Sequence, residues 1–203
     1  MEDLSLQQFC RLTASSQPVP GGGGVSALAG ALAASLASMV VNLSKDKKKY
    51  QEYAEEYKSL ITELEDLREK LLKAIEEDAQ AFRPLAEAYS LPKETPGYEE
   101  KLESCLKDAA ASPMRILKMI SRIITIDERL ALIGSKISVS DAACSVMLAR
   151  GALYAAAINV SVNTRLMKDR EYACKLDQET EEIVKEYAGK ADKVYEDIKT
   201  RLK

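Results

Sequence analysis

Four features of this sequence contain residue types that could do chemistry. They are the glycine run Gly21–Gly24, the lysine run Lys47–Lys49, the acidic pair Glu77–Asp78, and the asparagines Asn159 and Asn163. The 203 residues include no histidine, which excludes histidine-based triads, histidine metal ligands and imidazole bases. Any acid–base catalysis must therefore use carboxylates, lysine, tyrosine, cysteine or water.

The acidic pair interrupts the apolar run from Ile75 to Phe82. Helical spacing places Ala79 and Phe82 on the core face of the helix and Asp78 at its border. A carboxyl group beside Phe82 would be partly desolvated and its pKa raised, which suits a general acid. An exposed or ion-paired acid is the alternative that the spacing leaves open.

The glycine run lies between Pro20 and a helical pattern that begins at Val25. Its free N–H groups would meet the positive end of the following helix, and this arrangement favours a cradle for an anion or another ligand. The alternative is a flexible entry loop that lets a crowded helix pack. No apolar strand precedes the glycines and no Gly-Lys-Ser/Thr follows them, so a Walker loop or a Rossmann turn is not expected.

Two further groups each have two interpretations. Asn159 and Asn163 are four residues apart on an otherwise apolar helix, and buried amides need partners. Those partners could be a polar ligand, or each other and a neighbouring helix. The lysines of the segment Lys45–Tyr50 could form a solvated turn beside a helix C-terminus or a clamp for ligand carboxylates.

Helical periodicity runs through nearly the whole chain, and no strand pattern with turn chemistry occurs. The predicted helices are 4–14, 24–44, 50–88, 98–111, 113–132, 141–168 and 169 to the C-terminus. Pro113 predicts a new helix or a kinked continuation, and Ser140 or Asp141 is the predicted cap of the helix that follows. We expect one all-α domain over 1–203, an up-and-down bundle of long helices.

Two of these helices, 24–44 and 141–168, consist largely of small residues, and we expect them to pack together at the centre of the bundle. The first of them has no charged residue before Lys45, so it should be buried nearly all round. It is long enough to span a membrane, but its alanines and serines make insertion unfavourable.

Composition restricts the partners and the compartment. The net charge of -3 disfavours a nucleic-acid-binding face. The four cysteines are scattered, with no C-x-x-C pair, as expected for reduced thiols in a cytosol. With no basic N-terminal region to indicate a signal peptide, we expect a cytoplasmic protein with no membrane or nucleic-acid partner.

Several short motifs occur in an order that resembles a known family. They are Pro18-Val-Pro-Gly-Gly-Gly-Gly-Val-Ser-Ala, Lys47-Lys-Lys-Tyr50, Asp78-Ala-Gln-Ala-Phe82, Leu91-Pro92-Lys93, Ala111-Ser-Pro113, Ser140-Asp141, Asn159-Val-Ser-Val-Asn163 and Lys168-Asp169. The family is the cyclodeaminase/cyclohydrolase family, a folate-handling domain found at the C-terminus of formiminotransferase-cyclodeaminase and as free-standing bacterial enzymes. The resemblance covers about residues 5 to 175.

The resemblance implies an all-helical homodimer that acts on one-carbon tetrahydrofolates. Asp78 matches the family's catalytic acid. The motif positions expected to bind substrate are Gly21, Gly22, Gly23, Gly24, Ser26, Lys48, Lys49, Tyr50, Phe82, Asp141, Asn159 and Asn163. Lys48 or Lys49 could hold glutamate-tail carboxylates, Tyr50 or Phe82 could stack on an aromatic ring, and no metal or redox cofactor is required.

The activity that the resemblance favours is a lyase reaction, the conversion of 5-formimidoyltetrahydrofolate to 5,10-methenyltetrahydrofolate and ammonia. The alternative is a hydrolase, methenyltetrahydrofolate cyclohydrolase, which interconverts the methenyl and 10-formyl forms. A third interpretation is a non-catalytic helical dimerisation scaffold. This sequence departs from the family pattern at three places. Gly24 stands where the family usually has serine, Asp46 or Lys47 stands where it usually has glycine, and Ser135 stands where it often has asparagine. These departures affect the choice of substrate more than the choice of family.

Helix lengths predict a site shared between two subunits. A helix over 24–44 is about 30 Å long, so the lysines lie at the far end from the glycines. The next helix returns Asp78 to the glycine end, and one folate cannot easily reach both groups within a chain. A two-fold dimer would bring the lysines of one chain to the glycines and Asp78 of the other. If the lysines form only a solvated turn, the site lies within one subunit.

Overall fold

The computed structural model describes residues 4–202, and every regular element in that range is a helix. The α-helices are α1 (Leu6–Thr13), α2 (Gly22–Asn42), α3 (Ala54–Ser90), α4 (Tyr98–Ile133), α5 (Val139–Thr164) and α6 (Arg170–Arg201), and a 3₁₀ helix (Lys48–Tyr53) joins α2 to α3. The predicted all-α class is therefore confirmed. The four longest helices run 26 residues or more.

Local side-chain chemistry explains several helix ends. Ser5 caps α1 and Asp169 caps α6, each accepting a hydrogen bond from a backbone N–H of the first turn. The predicted cap of α5 at Ser140 or Asp141 is wrong. A tight turn directs the chain into the helix earlier, because the Ser138 N–H already donates to Ser135 O at 2.9 Å.

Helix α4 is continuous through Pro113, so of the two sequence alternatives the continuation is the one observed. Proline lacks the N–H that would donate to the carbonyl four residues earlier, which belongs to Ala109. The side-chain amide of Asn163 on α5 donates to that carbonyl instead, at 3.3 Å. The proline thus opens a backbone acceptor that a second helix occupies.

The helices α2 and α5 pack against each other at the centre of the bundle, as predicted. Ala33, Ala34 and Ala37 of α2 are fully buried. Their small side chains let α5 approach closely enough for Ser145 Oγ to donate to Ala33 O at 2.8 Å. Around this pair, α3, α4 and α6 contribute large buried aliphatic side chains such as Leu71, and these complete the core.

One face of α2 is open to solvent, so the prediction that this helix is buried nearly all round is wrong for the single chain. Exposed apolar side chains recur along α2 and along its packing partner α5. We call the two sets together the apolar stripe: Val25, Leu32 and Met39 on α2 with Leu43 at its C-cap, and Tyr154, Ile158 and Val162 on α5. Steps of seven and four residues keep these side chains on one side of each helix.

Both central helices are long and apolar enough to cross a membrane by length and composition alone. In the bundle, 61% of the most apolar window of α2 and 50% of that of α5 is buried. Their inner faces form the centre of the bundle.

Candidate active site

A cavity of about 180 Å³ lies at the N-terminal end of α2. Its lining residues are Pro18, Val19, Gly21, Gly22, Gly23, Asp78, Phe82, Ala109, Pro113, Asn159 and Asn163. The fold therefore brings together three of the four glycines, the acidic residue, Phe82 and both asparagines, from α2, α3 and α5. These groups are separated by up to 142 positions in the sequence.

The glycines form the first turn of α2 and not a loop. Gly21 is the N-cap, and Gly22, Gly23 and Gly24 are already helical. None of them has a positive φ, so their role is to allow close approach. A Cβ on Gly23 would collide with both carboxylate oxygens of Asp78, and a Cβ on Gly22 would lie 2.8 Å from Asn159 Nδ2.

Asp78 lies across the N-terminus of α2, which no side chain of its own segment caps. Burial raises the pKa of this carboxyl above its ordinary value, while the Ser112 hydroxyl, the Gly24 N–H and the Arg115 guanidinium act in the opposite direction. Desolvation therefore disfavours the charged form of Asp78, whereas the positive N-terminal end of α2 favours it.

The first N–H groups of α2 are available as hydrogen-bond donors. The opening N–H groups of any α-helix have no partner within the helix. Among the described residues, neither the Gly22 nor the Gly23 N–H donates to another group. The cavity thus presents two backbone donors beside a carboxyl group, an arrangement suited to an oxygen atom that carries negative charge.

The two asparagines are anchored through their side-chain nitrogens. Asn159 Nδ2 donates to Ala155 O at 2.6 Å, and Asn163 Nδ2 donates to Asn159 O at 2.9 Å as well as to Ala109 O on α4. The amides therefore bind their own helix and its neighbour. They also line the cavity, so both interpretations of this pair describe part of the structure.

The lysine run lies at the opposite end of α2 from Asp78. Lys47 Nζ donates to Ser135 Oγ at 2.9 Å, which ties this segment to the turn between α4 and α5. Lys49 and Tyr50 line a separate cavity of about 600 Å³. Lys48 is exposed in the same 3₁₀ helix.

Asp141, in the first turn of α5, also lies outside the Asp78 cavity. Within one chain, the structure therefore separates four predicted site residues from Asp78. They are Lys48, Lys49, Tyr50 and Asp141.

Two further predicted site residues lie behind the cavity wall. Ser26 is buried, and its hydroxyl donates to Gly23 O at 2.7 Å, a bond within the first turns of α2. Gly24 packs against Pro20 and Ile75, although its N–H faces Asp78. Both residues support the wall that carries the site.

Sequence reasoning missed five residues at this site. Pro18, Val19, Ala109 and Pro113 line the cavity, and the buried Ser112 lies beside Asp78. Although the Ser112 hydroxyl lies close to the Asp78 carboxyl group, it makes no hydrogen bond of normal geometry with any described residue. The motif Ala111-Ser-Pro113 is the available signal in the sequence, since it belongs to the set that carries the family resemblance, but neither Ser112 nor Pro113 is among the predicted site residues.

Between residues 4 and 202, no group of three or more histidine, cysteine, aspartate or glutamate side chains is placed to hold a metal ion. The chemistry that the residues at this site offer is proton transfer by Asp78, flanked by amide and backbone hydrogen-bonding groups.

Comparison with known proteins shows the family to which this chain is similar. The family model described as formiminotransferase-cyclodeaminase matches residues 5–182. The methenyltetrahydrofolate cyclohydrolase of Methylorubrum extorquens is 35% identical, and the match covers 98% of this chain and 97% of that protein. The formimidoyltransferase-cyclodeaminase of Mus musculus is 27% identical, and there the chain spans only 38% of the relative's length.

A solved structure also matches. The crystal structure of formiminotetrahydrofolate cyclodeaminase from Thermotoga maritima superposes with a TM-score of 0.84 at 29% identity, over 98% of this chain and 96% of that one. The helical bundle, the cavity at the start of α2 and the family match over most of the chain lead to one conclusion. This chain belongs to the formiminotransferase-cyclodeaminase family, whose named members are enzymes of one-carbon folate chemistry.

Proposed function

We propose that this protein is a formimidoyltetrahydrofolate cyclodeaminase. The observation that carries the proposal is the position of Asp78, a half-buried carboxyl group held against the N-terminal turn of α2 in a cavity with two amide side chains. It is the one ionisable side chain among the described residues that line this cavity. A reaction that needs a single group to move one proton fits such a site.

The cyclodeaminase reaction has that requirement. In the protonated substrate, N10 of the folate attacks the carbon of the 5-formimidoyl group, forming the N10–C bond. Asp78 accepts the proton from N10 and returns it to the exocyclic nitrogen. The C–N bond to that nitrogen then breaks, ammonia leaves, and the 5,10-methenyl cation remains. Asp78 ends the cycle as it began, so no second acid or base is needed.

Methenyltetrahydrofolate cyclohydrolase is the second candidate, because the Methylorubrum extorquens relative of that name is 35% identical over nearly its whole length. Here Asp78 would take a proton from the water that attacks the methenyl carbon. The N5–C bond then breaks, the hydroxyl proton passes to N5, and the oxygen becomes the carbonyl of the 10-formyl group. The free N–H groups of Gly22 and Gly23 would stabilise that oxygen during the step. Both reactions use the same carboxyl group at the same carbon.

Incubation of the purified protein with each folate distinguishes the candidates. A cyclodeaminase converts 5-formimidoyltetrahydrofolate with a rise in methenyl absorbance and release of one ammonia per turnover. A cyclohydrolase equilibrates 5,10-methenyl- with 10-formyltetrahydrofolate and releases no ammonia. Activity toward neither folate would contradict both candidates and favour the scaffold interpretation.

We also propose that the protein is a homodimer that covers the apolar stripe. Val25, Leu32 and Met39 are 38%, 47% and 39% exposed, and Ile158 on α5 is 61% exposed. Apolar side chains seven residues apart on a helix are typical of a helix–helix seam. The same face on a second copy, related by a two-fold axis, is its natural cover.

Such a dimer would complete the active site. A cavity of about 180 Å³ is below the roughly 300–1,000 Å³ that sites for drug-sized ligands occupy. Most of a folate would therefore extend beyond it. If α2 pairs antiparallel with its copy, Lys48 and Lys49 of the partner approach the glycine end. Neither lysine forms an ion pair with a described residue, so both are available to hold the glutamate carboxylates of the substrate.

A further inference from the structure

The orientation of the two cavity amides carries a further inference, which rests on the proposed function. An asparagine side chain offers N–H donors on one branch and a carbonyl acceptor on the other. Which branch faces a ligand depends on what holds the opposite branch. In Asn159 and Asn163, helix carbonyl groups hold the nitrogen branch.

Asn163 is fixed by two helices at once. Its Nδ2 donates to Asn159 O at 2.9 Å and to Ala109 O at 3.3 Å, which uses both of its N–H groups. Ala109 O needs that donor because Pro113 cannot supply one. Rotating the amide would place Oδ1 against these carbonyl oxygens, and two acceptors facing each other repel.

Asn159 has the same orientation for a simpler reason. Its Nδ2 donates to Ala155 O at 2.6 Å within α5. The amide lies flat against Gly22, where any Cβ would come within 2.8 Å of it. The missing side chain at Gly22 therefore leaves room for this amide at the cavity wall.

Both Oδ1 atoms remain as free acceptors on the cavity side. Neither accepts a hydrogen bond from a described residue, and neither is among the buried side-chain atoms that lack a partner. They therefore stay open to the cavity that their side chains line. On the α2 side, the wall instead offers the Gly22 and Gly23 N–H donors.

We infer that Asn159 and Asn163 select the substrate by accepting hydrogen bonds from the 2-amino-4-oxopyrimidine edge of its pterin ring. That edge carries the 2-amino group and N3–H as donors, followed by the O4 acceptor. Two amide oxygens and a backbone N–H complement this order. O4 lies beside N5 on the ring, so an O4 held at the α2 N-terminus places the one-carbon group next to Asp78.

The test removes the donor from the ligand and the acceptor from the protein. The dissociation constants of tetrahydrofolate and of its 2-desamino-2-methyl analogue are measured on the wild type, Asn159→Ala, Asn163→Leu and Ser161→Ala. Ser161 is the matched control, because its hydroxyl bonds only to Ala157 O of its own helix and it does not line the cavity.

The wild type and Ser161→Ala are expected to bind the analogue about ten- to hundredfold more weakly than tetrahydrofolate, because an amide oxygen loses its donor. In the variant that lacks the oxygen facing the 2-amino group, that ratio falls to about threefold or less, since the acceptor is already absent. The other asparagine variant, whose missing oxygen faces N3–H, binds both ligands more weakly and keeps the ratio. Should Asn163→Leu fail to fold without its bond to Ala109, the loss of tetrahydrofolate affinity in Asn159→Ala decides, because that amide anchors only to α5.

The outcomes separate this inference from the proposed function. Equal binding of both ligands by the wild type, or the same ratio in all four proteins, would overturn the role of the asparagines and leave the folate activity in place. No binding of tetrahydrofolate by the wild type would overturn the proposed function and this inference together.

Discussion

Glu77 and Asp78 are neighbours in the sequence, but helix α3 gives them different surroundings. Glu77 is exposed and lies 3.5 Å from Arg115. Asp78, about 100° further round the helix, faces the cavity beside α2. The two carboxyl groups differ in surroundings and not in chemical type, which makes Glu77 a natural control for Asp78.

We expect Asp78→Asn to lower turnover by about 100-fold or more while folding and folate binding persist, because an amide cannot relay the proton. Glu77→Gln is expected to remain within about twofold of the wild type. Steady-state kinetics on both folates, with circular dichroism to check the fold, provide the comparison. Near-wild-type turnover in Asp78→Asn would remove this residue from the mechanism.

At the residue scale, periodicity predicts which side chains approach the core but not which atoms they present. The spacing of Ile75, Asp78 and Phe82 is enough to place Asp78 at the border of the core. The direction of the Asn163 amide depends on Ala109, a residue 54 positions away whose carbonyl is free only because of Pro113. No local pattern in α5 contains that information.

Among the elements, the first turn of α2 couples the fold to the chemistry. Gly23→Ala places a methyl group where the Asp78 carboxylate lies, so the carboxylate must move. We expect turnover to fall by about tenfold or more and stability by about 1–3 kcal/mol. Denaturant titration and kinetics on the purified variant measure both effects.

Gly189→Ala in α6 is the matched control, because nothing lies within 4 Å of the added Cβ. Replacing a mid-helix glycine with alanine should stabilise the protein by about 0.5–1 kcal/mol and leave turnover unchanged. If Gly23→Ala behaved in the same way, the contact with Asp78 would have no functional meaning.

The junction of α2, α4 and α5 holds a second carboxyl group, unrelated to the cavity. Asp127 is fully buried, and Ser145 Oγ lies 2.8 Å from both Asp127 Oδ2 and Ala33 O. The serine has one proton, so if it donates to Ala33 O, Asp127 must donate to the serine. Burial raises the pKa of Asp127 well above its ordinary value, which agrees with a neutral side chain.

This buried acid makes stability depend on pH. The native pKa of Asp127 lies above its value in the unfolded chain, so stability is highest below the unfolded pKa and falls as pH rises toward the native pKa. The slope is about 1.4 kcal/mol per pH unit while only the unfolded state is ionised. Asp127→Asn should remove this pH dependence of the free energy of unfolding. In urea titrations, the stability of the variant relative to the wild type should therefore be higher at pH 8 than at pH 5.

At the element scale, the sequence predicts the helices well and some of their ends poorly. Small residues and the absence of charge identify α2 and α5 as the central pair. The sequence does not decide whether the helix ends or continues at Pro113. A helix tolerates an internal proline more readily when another group donates a hydrogen bond to the carbonyl that the proline leaves unpaired. The prediction that the outer face of α2 is buried is wrong for the single chain. The apolar residues on that face point away from the chain's own core.

For the whole molecule, the separation of the lysines from Asp78 predicts complementation between subunits. A hybrid of Asp78→Asn with Lys48→Ala/Lys49→Ala contains one site in which every group is native. We expect mixed dimers to recover part of the wild-type activity, although each parent alone is nearly inactive. Formation of hybrid dimers without recovery would contradict the shared site.

Under the proposed dimer, the apolar stripe makes the activity of this protein depend on its concentration. If half of each site is supplied by another copy, specific activity must fall as the protein is diluted below the dissociation constant of the dimer. Leu32→Glu, at the middle of the stripe, should shift that fall to much higher concentration. Leu6→Glu, at an exposed leucine on α1, should leave it unchanged. In a cell that makes little of this enzyme, a given decrease in its concentration would then cause a larger proportional decrease in its activity.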